Sequence, residues 1–429
     1  MRITQTDLEI QREPFARPFA FKGSAFHEKW NLVVRLRDDQ GNEAVGLGGL
    51  AVLWADAAVF EAHTEVGGNV LMTALLEHAL QLVKGRDYAD PIAMLDDLLP
   101  QVHDYGRSVT ANPDLRLTFS LISLVALDNA AWLVYAKQNG ITSFDDLIPE
   151  PYRPHFAHRQ CRLAVVPLIS YALPDRVIAT VLDDGAAVLK IKIGQPGTES
   201  EMLSKDIDTL SRIHGIVDNR ETPLTDSRRV LYYLDANGRY TQKDSIARLL
   251  DHAGKIGMLE RVIILEEPFD EALEIDVSDL PARCAADESL HSVANVTGRI
   301  AQGYTAVALK PAGKTLSLTL QKVQVAAEAG VPCFVADNAC VPVLVEWNKN
   351  VIARLPAFPG VKGGLLESNG PETYATWPQL LDAYPLPNAS WLRPQSGAFE
   401  LDDEYYAQSG GIFLKPAAYS DLFKRSGDH

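Results

Sequence analysis

The first 55 residues alternate apolar and polar side chains with the period of strands, over 3–10, 30–36 and 44–53, and the polar run DDQGNE at 38–43 supplies a turn. From Gly68 the period changes. Val70, Leu71, Ala74, Leu75, Ala79 and Leu82 recur three or four positions apart, and further helical stretches follow over 90–99 and 117–139. Strands first and helices afterwards predict an α+β unit over 1–150, closed by the Pro-rich linker IPEPYRP at 148–154. Eight short β-rich runs come next, over 163–169, 187–193, 230–235, 261–267, 282–287, 306–310, 331–337 and 364–367. Helical stretches such as 200–214, 245–256 and 316–329 lie between them, so the pattern predicts a (β/α)8 barrel of the TIM type over 155–370. The remaining segment, 371–429, is rich in proline, has a strand-like stretch at 411–414, and is expected to pack back on the first unit.

Composition narrows the chemistry. A chain of 429 residues with 47% hydrophobic and 22% charged residues has material for two or three globular units. A formal charge of -16 leaves no basic face for nucleic acid or an anionic membrane. Cys161, Cys284, Cys333 and Cys340 are scattered, without a CxxC pair, and read as thiols of a reducing compartment rather than a zinc site or disulfide framework. The N-terminus MRITQTDLEI lacks an apolar core, and no run of about 18 uninterrupted apolar residues occurs, so a cytoplasmic protein is expected.

The C-terminal strand ends of a parallel barrel converge on one mouth, which makes the residues there the candidates for function. Lys190 and Lys192 stand two apart on one strand and point the same way. Crowded, partly dehydrated ammonium groups are expected to lose basicity, which turns a lysine into a base near neutral pH. Asp235, Glu266, Asp287 and Lys310 follow on successive strands, each about one βα unit further on, and Asp337 and Glu367 end the last two. Taken singly, such residues are more often solvated strand edges, loop acids or helix caps; the common register favours a site. Three oxygen ligands without Cys or His suit a hard cation such as Mg2+.

The motifs LKIKIG, LDANGRY, ILEEPF, AADESL and ALKPAG, in this order and spacing, resemble the barrel of the enolase superfamily, and within it the muconate-lactonizing-enzyme-like subgroup. The resemblance covers about 163–367, and the preceding α+β unit is similar in kind to that family's capping domain. It implies Mg2+, or Mn2+ in its place, held by Asp235, Glu266 and Asp287, with Glu267 and Glu288 orienting those ligands. It implies Lys192 as acid/base on one face of the substrate, Lys190 lowering its basicity and reaching a substrate carboxylate, Lys310 serving the opposite face, and Asn237 shaping the site. The implied reaction is removal of the proton α to a carboxylate through an enediolate, with a lysine base and Mg2+ as general in this superfamily. Racemisation or epimerisation leads. Dehydration, cycloisomerisation of the muconate-lactonizing or o-succinylbenzoate-synthase kind, and a catalytically silent binding barrel are the alternatives. The expected partners are a small carboxylate substrate and further copies of the chain.

Departures from that resemblance bear on the substrate. Between His291 and the terminal His429 there is no histidine, so a late-barrel histidine base is excluded. The last strand ends in Glu367, Ser368 and Asn369, where similar dipeptide epimerases carry an Asp-x-Asp pair for the substrate ammonium. The first unit reads Gly46, Gly48 and Gly49 where relatives often read Gly-Glu-Ala. The stretch HTEVGGN at 63–69 is a lid over the substrate or an ordinary glycine turn. Three other signals are set aside. GKT at 313–315 lacks the earlier glycine of a phosphate loop, the glycines at 46 and 48 lack a dinucleotide context, and HEKWN at 27–31 lacks the second histidine of a zincin. Trp347, on a helical stretch, is expected in the core.

Overall fold

A computed structural model of the chain describes residues 1–21, 24–171 and 173–425; the terminal His429 lies outside them. Three antiparallel strands begin it, β1 (Ile3–Phe21), β2 (Ser24–Asp38) and β3 (Glu43–Gly49), in the order β1-β2-β3. The alternation puts Trp30, Leu32, Val34 and Leu36 in the main core, on the face opposite Val33. Helices α1 (Val52–Ala55), α2 (Ala57–Leu82), α3 (Pro91–Thr110) and α4 (Leu117–Gln138) complete this cap. By length and composition α4 is apolar enough to cross a membrane, but 94% of its apolar window is buried in the protein, which makes it the core helix of the cap. A short α5 (Phe144–Leu147) leads to the barrel.

The barrel strands are β4 (Arg162–Val166), β5 (Leu168–Ile169), β6 (Val188–Lys192), β7 (Leu231–Asp235), β8 (Val262–Glu266), β9 (Cys284–Ala286), β10 (Ala306–Leu309), β11 (Cys333–Val335) and β12 (Gly364–Glu367). Hydrogen bonding runs β4-β12-β11-β10-β9-β8-β7-β6-β5. β4 and β5 are two halves of one strand, broken at Pro167, which has no N–H to give the ladder. The broken strand pairs with β12 on one side and β6 on the other, all parallel, so eight strands close. Outside them lie α6 (Asp175–Asp183), α7 (Glu199–Val217), α8 (Lys243–Lys255), α9 (Val293–Ala301), α10 (Pro311–Lys314), α11 (Leu316–Glu328) and α12 (Pro342–Ile352). The β8–β9 connection carries a 3-10 turn, Glu271–Leu273. Tyr233 and Phe334, with rings 5.4 Å apart, fill the barrel interior against Ala285, Ala306 and Ala308.

Two expectations are corrected. The stretch 63–69 is not a simple turn: it lies within α2, which breaks at Thr64 (φ 63°) and resumes. Its Gly68 lets α2 approach α1, since a Cβ there would come 2.5 Å from Val52. The strand-like stretch at 411–414 is not a strand. The strand of that segment is β13 (Ala398–Glu400), which pairs antiparallel with β4 of the barrel. Further on, Tyr419 and Phe423 pack with Val33, Val45 and Leu47 of the cap. Trp347 is buried in the core, as expected.

Candidate active site

Parallel register aligns Lys192 with Asp235 and Asp235 with Glu266, so the ends of three adjacent strands present their side chains in one layer. Lys190 pairs with Tyr233 one layer deeper. Asp287, Lys310 and Asp337 follow the ends of β9, β10 and β11, and Glu367 ends β12. All of these are buried, as are Asn237, Glu267 and Glu288. β10 stands fourth from β6 in a ring of eight, so Lys310 and Lys192 approach the mouth from opposite walls. Both line one cavity with Lys190, Asp235, Asn237, Asp337 and Glu367. The cap roofs it with Phe19, Phe26, Ala51 and Trp54. Its volume of about 40 Å³ is the room of a few waters.

Every lysine here meets a carboxylate. The Lys190 ammonium lies 2.9 Å from Asp235 Oδ2, 2.9 Å from Glu266 Oε2 and 3.0 Å from Glu367 Oε2. Lys192 Nζ donates to Asp235 Oδ2 and Asn237 Oδ1, both at 2.6 Å. Asn237, in the left-handed region at φ 46°, donates through Nδ2 to Glu288 Oε1 at 2.8 Å. Lys310 Nζ is 2.6 Å from Asp287 Oδ2 and 4.1 Å from the centre of the Trp54 ring. Glu267 Oε2 accepts from the backbone N–H of Asp287 at 2.7 Å and the hydroxyl of Ser289 at 3.1 Å, fixing the turn that carries Asp287.

These contacts reverse the expected effect of crowding on Lys190. Burial lowers it, but Asp235, Glu266 and Glu367 outweigh burial and hold it well above the ordinary lysine value. Burial alone would raise Asp235, yet Lys190 and Lys192 bring it below the usual carboxylate range. Lys190 is therefore held as a cation by its three carboxylates. Lys310 is likewise raised, the carboxylates of Asp287 and Glu288 prevailing over burial. Burial, reinforced by the charges of Asp287 and Glu288, pushes Glu266 up to about 8 against the pull of Lys190. Burial and Glu288 push Glu267 up to about 7.

Crowded carboxylates that resist ionisation are what a divalent cation relieves. One oxygen from each of Glu266, Asp287 and Glu288 lies within 4.8 Å of the others. Glu266 Oε1 and Asp287 Oδ1 are buried without a hydrogen-bond partner. The residues present thus fit a hard cation. The cluster differs in membership from the expected ligand set: Glu288 stands within it, while Asp235 accepts from the Asn237 N–H on one oxygen and faces two ammonium groups with the other.

No family model matches the chain, and no match is found among curated proteins. Solved structures do match. A mandelate racemase/muconate lactonizing protein from Herpetosiphon aurantiacus superposes with a TM-score of 0.65 at 15% identity, covering 94% of this chain and 96% of that one. A dipeptide epimerase from Enterococcus faecalis, complexed with Mg and L-Leu-L-Tyr, gives 0.61 at 14% identity, covering 88% and 92%. An L-talarate dehydratase from Polaromonas sp., complexed with Mg and L-glucarate, gives 0.59 at 16% identity, covering 88% of each chain. The chain has the mandelate racemase/muconate lactonizing enzyme fold.

Within that fold, the mouth holds residues that the strand-end reading did not find. Lys314, set aside with the phosphate-loop signal, is wholly buried and donates to the backbone carbonyls of Asp287, Glu288 at 3.2 Å and Leu290 at 3.1 Å. It holds the turn that presents two of the clustered acids. Its place one helical turn after Lys310 was the available signal. Tyr233, one layer below the mouth, donates to Glu266 Oε2 and lies under Lys190 at 4.6 Å. Trp54 lines the cavity from the cap, and Lys29 meets the Asn338 carbonyl beside it; Trp54 lies in no motif, and Lys29 lies in the HEKWN stretch set aside above. Asp337 and Glu367 are committed to the protein. Asp337 accepts from the N–H groups of Asn369 and Cys340, and Glu367 accepts from Asp337 N and Asn369 Nδ2 besides meeting Lys190.

Proposed function

We propose that this protein is an Mg2+-dependent enzyme that removes the proton α to a carboxylate of a small substrate and acts as a racemase or epimerase. The observation that carries this reading is the pair Lys192 and Lys310, on opposite walls of one cavity beside a buried cluster of carboxylates. A base on each wall lets a proton leave one face of the α-carbon and return to the other. In this reading residues 1–150 are the cap that excludes water, 155–370 carry the chemistry, and 371–429 tie the two together.

Asp235, Glu266 and Asp287 are the proposed ligands, with Glu288 within reach of the last two. When bound, the cation neutralises the charge that builds on the substrate carboxylate as its α-proton leaves. Asn237 and Asp235 aim the Lys192 amine, and Asp287 and the Trp54 face aim that of Lys310. Lys190 adds a third positive charge where the enediolate oxygens form. The last barrel strand ends in Glu367, Ser368 and Asn369 rather than an Asp-x-Asp pair, and the roof of Phe19, Phe26 and Trp54 is apolar. Both support a carboxylate with an uncharged body rather than a dipeptide.

The test is deuterium incorporation from D2O, read by mass spectrometry, into a mixed set of N-acyl amino acids, dipeptides, hydroxy acids and acid sugars with Mg2+. The expected result is exchange at one α-carbon that Lys192→Ala and Lys310→Ala each abolish. Chirality of the recovered compound separates epimerisation from loss of water. Tight Mg2+ binding by calorimetry with no exchange in any member would replace the reading with a silent binding barrel.

A further inference from the structure

We infer that Lys29, on the cap strand β2, is a positioning residue that holds the barrel loop 337–340 in place at the mouth of the cavity. Lys29 shares a strand face with Val33, which packs against Ala312, Cys340 and Leu344 of the barrel. The Lys29 side chain is wholly buried at that seam, and its ammonium donates to the backbone carbonyl of Asn338. A buried charge is costly unless it is hydrogen-bonded, so this contact is specific. β3 is shaped to admit it: a Cβ on Gly49 would stand 2.6 Å from Lys29 Cε. Burial lowers Lys29 to about 8, which leaves it charged at neutral pH.

The loop it grips is part of the site already described. Asp337, Asn338 and Ala339 line the cavity, and Ala339 is held at φ 59°, a left-handed conformation unfavourable for a residue with a side chain. Such a loop needs fixing from outside. The Ala339 carbonyl accepts from Tyr374 Oη at 2.7 Å, and the Tyr374 ring meets Phe15 of β1 edge-on at 5.4 Å. The cap therefore fixes two successive carbonyls, one directly through Lys29 and one through Tyr374. From the same loop, Asp337 N donates to Glu367 Oε2, which faces Lys190 at 3.0 Å. The seating of the cap is thereby linked to the deepest lysine of the mouth. The inference rests on the proposed function only in taking this cavity as the site of reaction; the loop's dependence on Lys29 is measurable without a substrate.

The experiment is amide hydrogen exchange by mass spectrometry on the full chain, comparing the unmodified protein with Lys29→Met, Lys29→Arg and Gly49→Ala. Lys29→Met keeps the apolar stem and removes the donor, and the peptide covering 336–341 is expected to exchange about 10- to 100-fold faster, as for one lost charge-assisted hydrogen bond. β1 and β2 should keep their protection, and Mg2+ affinity by calorimetry should stay within about twofold. Lys29→Arg, which keeps a cationic donor, should restore most of the protection. Gly49→Ala displaces the lysine without removing it and should loosen the same peptide, which decides the matter if Lys29→Met does not fold. A loop as protected in Lys29→Met as in the unmodified protein, or loosening spread evenly over cap and barrel, would overturn the positioning role. Absence of α-proton exchange in the unmodified protein would strike the proposed reaction instead and leave this measurement intact.

Discussion

The barrel mouth and the cap above it enclose one cavity but are built on opposite plans. In the mouth, each charge answers a charge on a neighbouring strand: Lys190 touches three carboxylates, Lys192 one and Lys310 one, in a register set by the parallel sheet. In the cap, groups reach down singly, Lys29 to the carbonyl of Asn338 and Trp54 to the ammonium groups of Lys310 and Lys314. The mouth is a network whose members share their neutralisation, whereas the cap is a set of separate pins. Changes in the mouth should therefore act on chemistry and metal together, and changes in the cap should act locally.

Removing a base should separate the two plans most sharply. Lys192→Ala is expected to lower α-proton exchange by about 10²- to 10⁴-fold, the usual worth of a positioned general base, with the circular dichroism spectrum unchanged. An active variant would remove Lys192 from the chemistry and leave the mouth a binding site. Next in size, Asp287→Asn should weaken Mg2+ binding by more than about 100-fold in calorimetry, since partners that merely orient a ligand are worth about 10- to 100-fold. Glu288→Gln sharpens the point: a loss as large as that of Asp287→Asn makes Glu288 a ligand, and a smaller one makes it a partner of Asn237.

In the cap, Gly46→Ala should cost about 1–3 kcal/mol of stability, the range of overpacking. A Cβ at Gly46 would fall inside contact distance of the α4 backbone at Ala126 and Ala130. Thermal unfolding of the variant checks this, and an unchanged melting temperature would show that β3 and α4 can move apart.

What could be read from the sequence follows the same division. Strand periodicity and charged strand ends located all eight barrel strands, and the strand-end lysines and acids do converge on one mouth, because a parallel barrel brings together whatever ends its strands. The identity of partners within the mouth was not legible. Lys190 was expected to repel its neighbour, and its three acidic partners come from β7, β8 and β12, the last of them 177 positions away. The glycines of the cap were visible, but their meaning was not. Gly49 makes room for Lys29 and Gly68 for Val52, and both are contacts across a packed seam that no local pattern records. The run at 63–69 misled because two glycines in a polar stretch look like a turn, whereas packing of α2 on α1 requires one of them.

A second seam between cap and barrel offers the smallest effect and the clearest sign. Thr118 Oγ1 of α4 lies 2.8 Å from His291 Nδ1, and His291 Nε2 meets Glu271 Oε2 at 2.5 Å, while Arg116 Nε donates to Glu271 Oε1 at 2.9 Å. Burial lowers His291 to about 4, against the pull of Glu271. Burial would raise Glu271, but His291 and Arg116 bring it to about 2. Both groups are thus depressed on folding, so the unfolded chain binds more protons in acid. Their contribution is whole above pH 6.5, where an unfolded histidine is neutral, and is lost as pH falls towards 4 for His291 and towards 2 for Glu271. The expected loss is on the order of 2 kcal/mol between pH 7 and pH 4.5, mainly from His291. His291→Gln should flatten that limb in urea titrations across this range, since glutamine keeps a donor and takes up no proton. An equally steep limb in the variant would move the acid sensitivity out of this seam and into the carboxylates of the mouth.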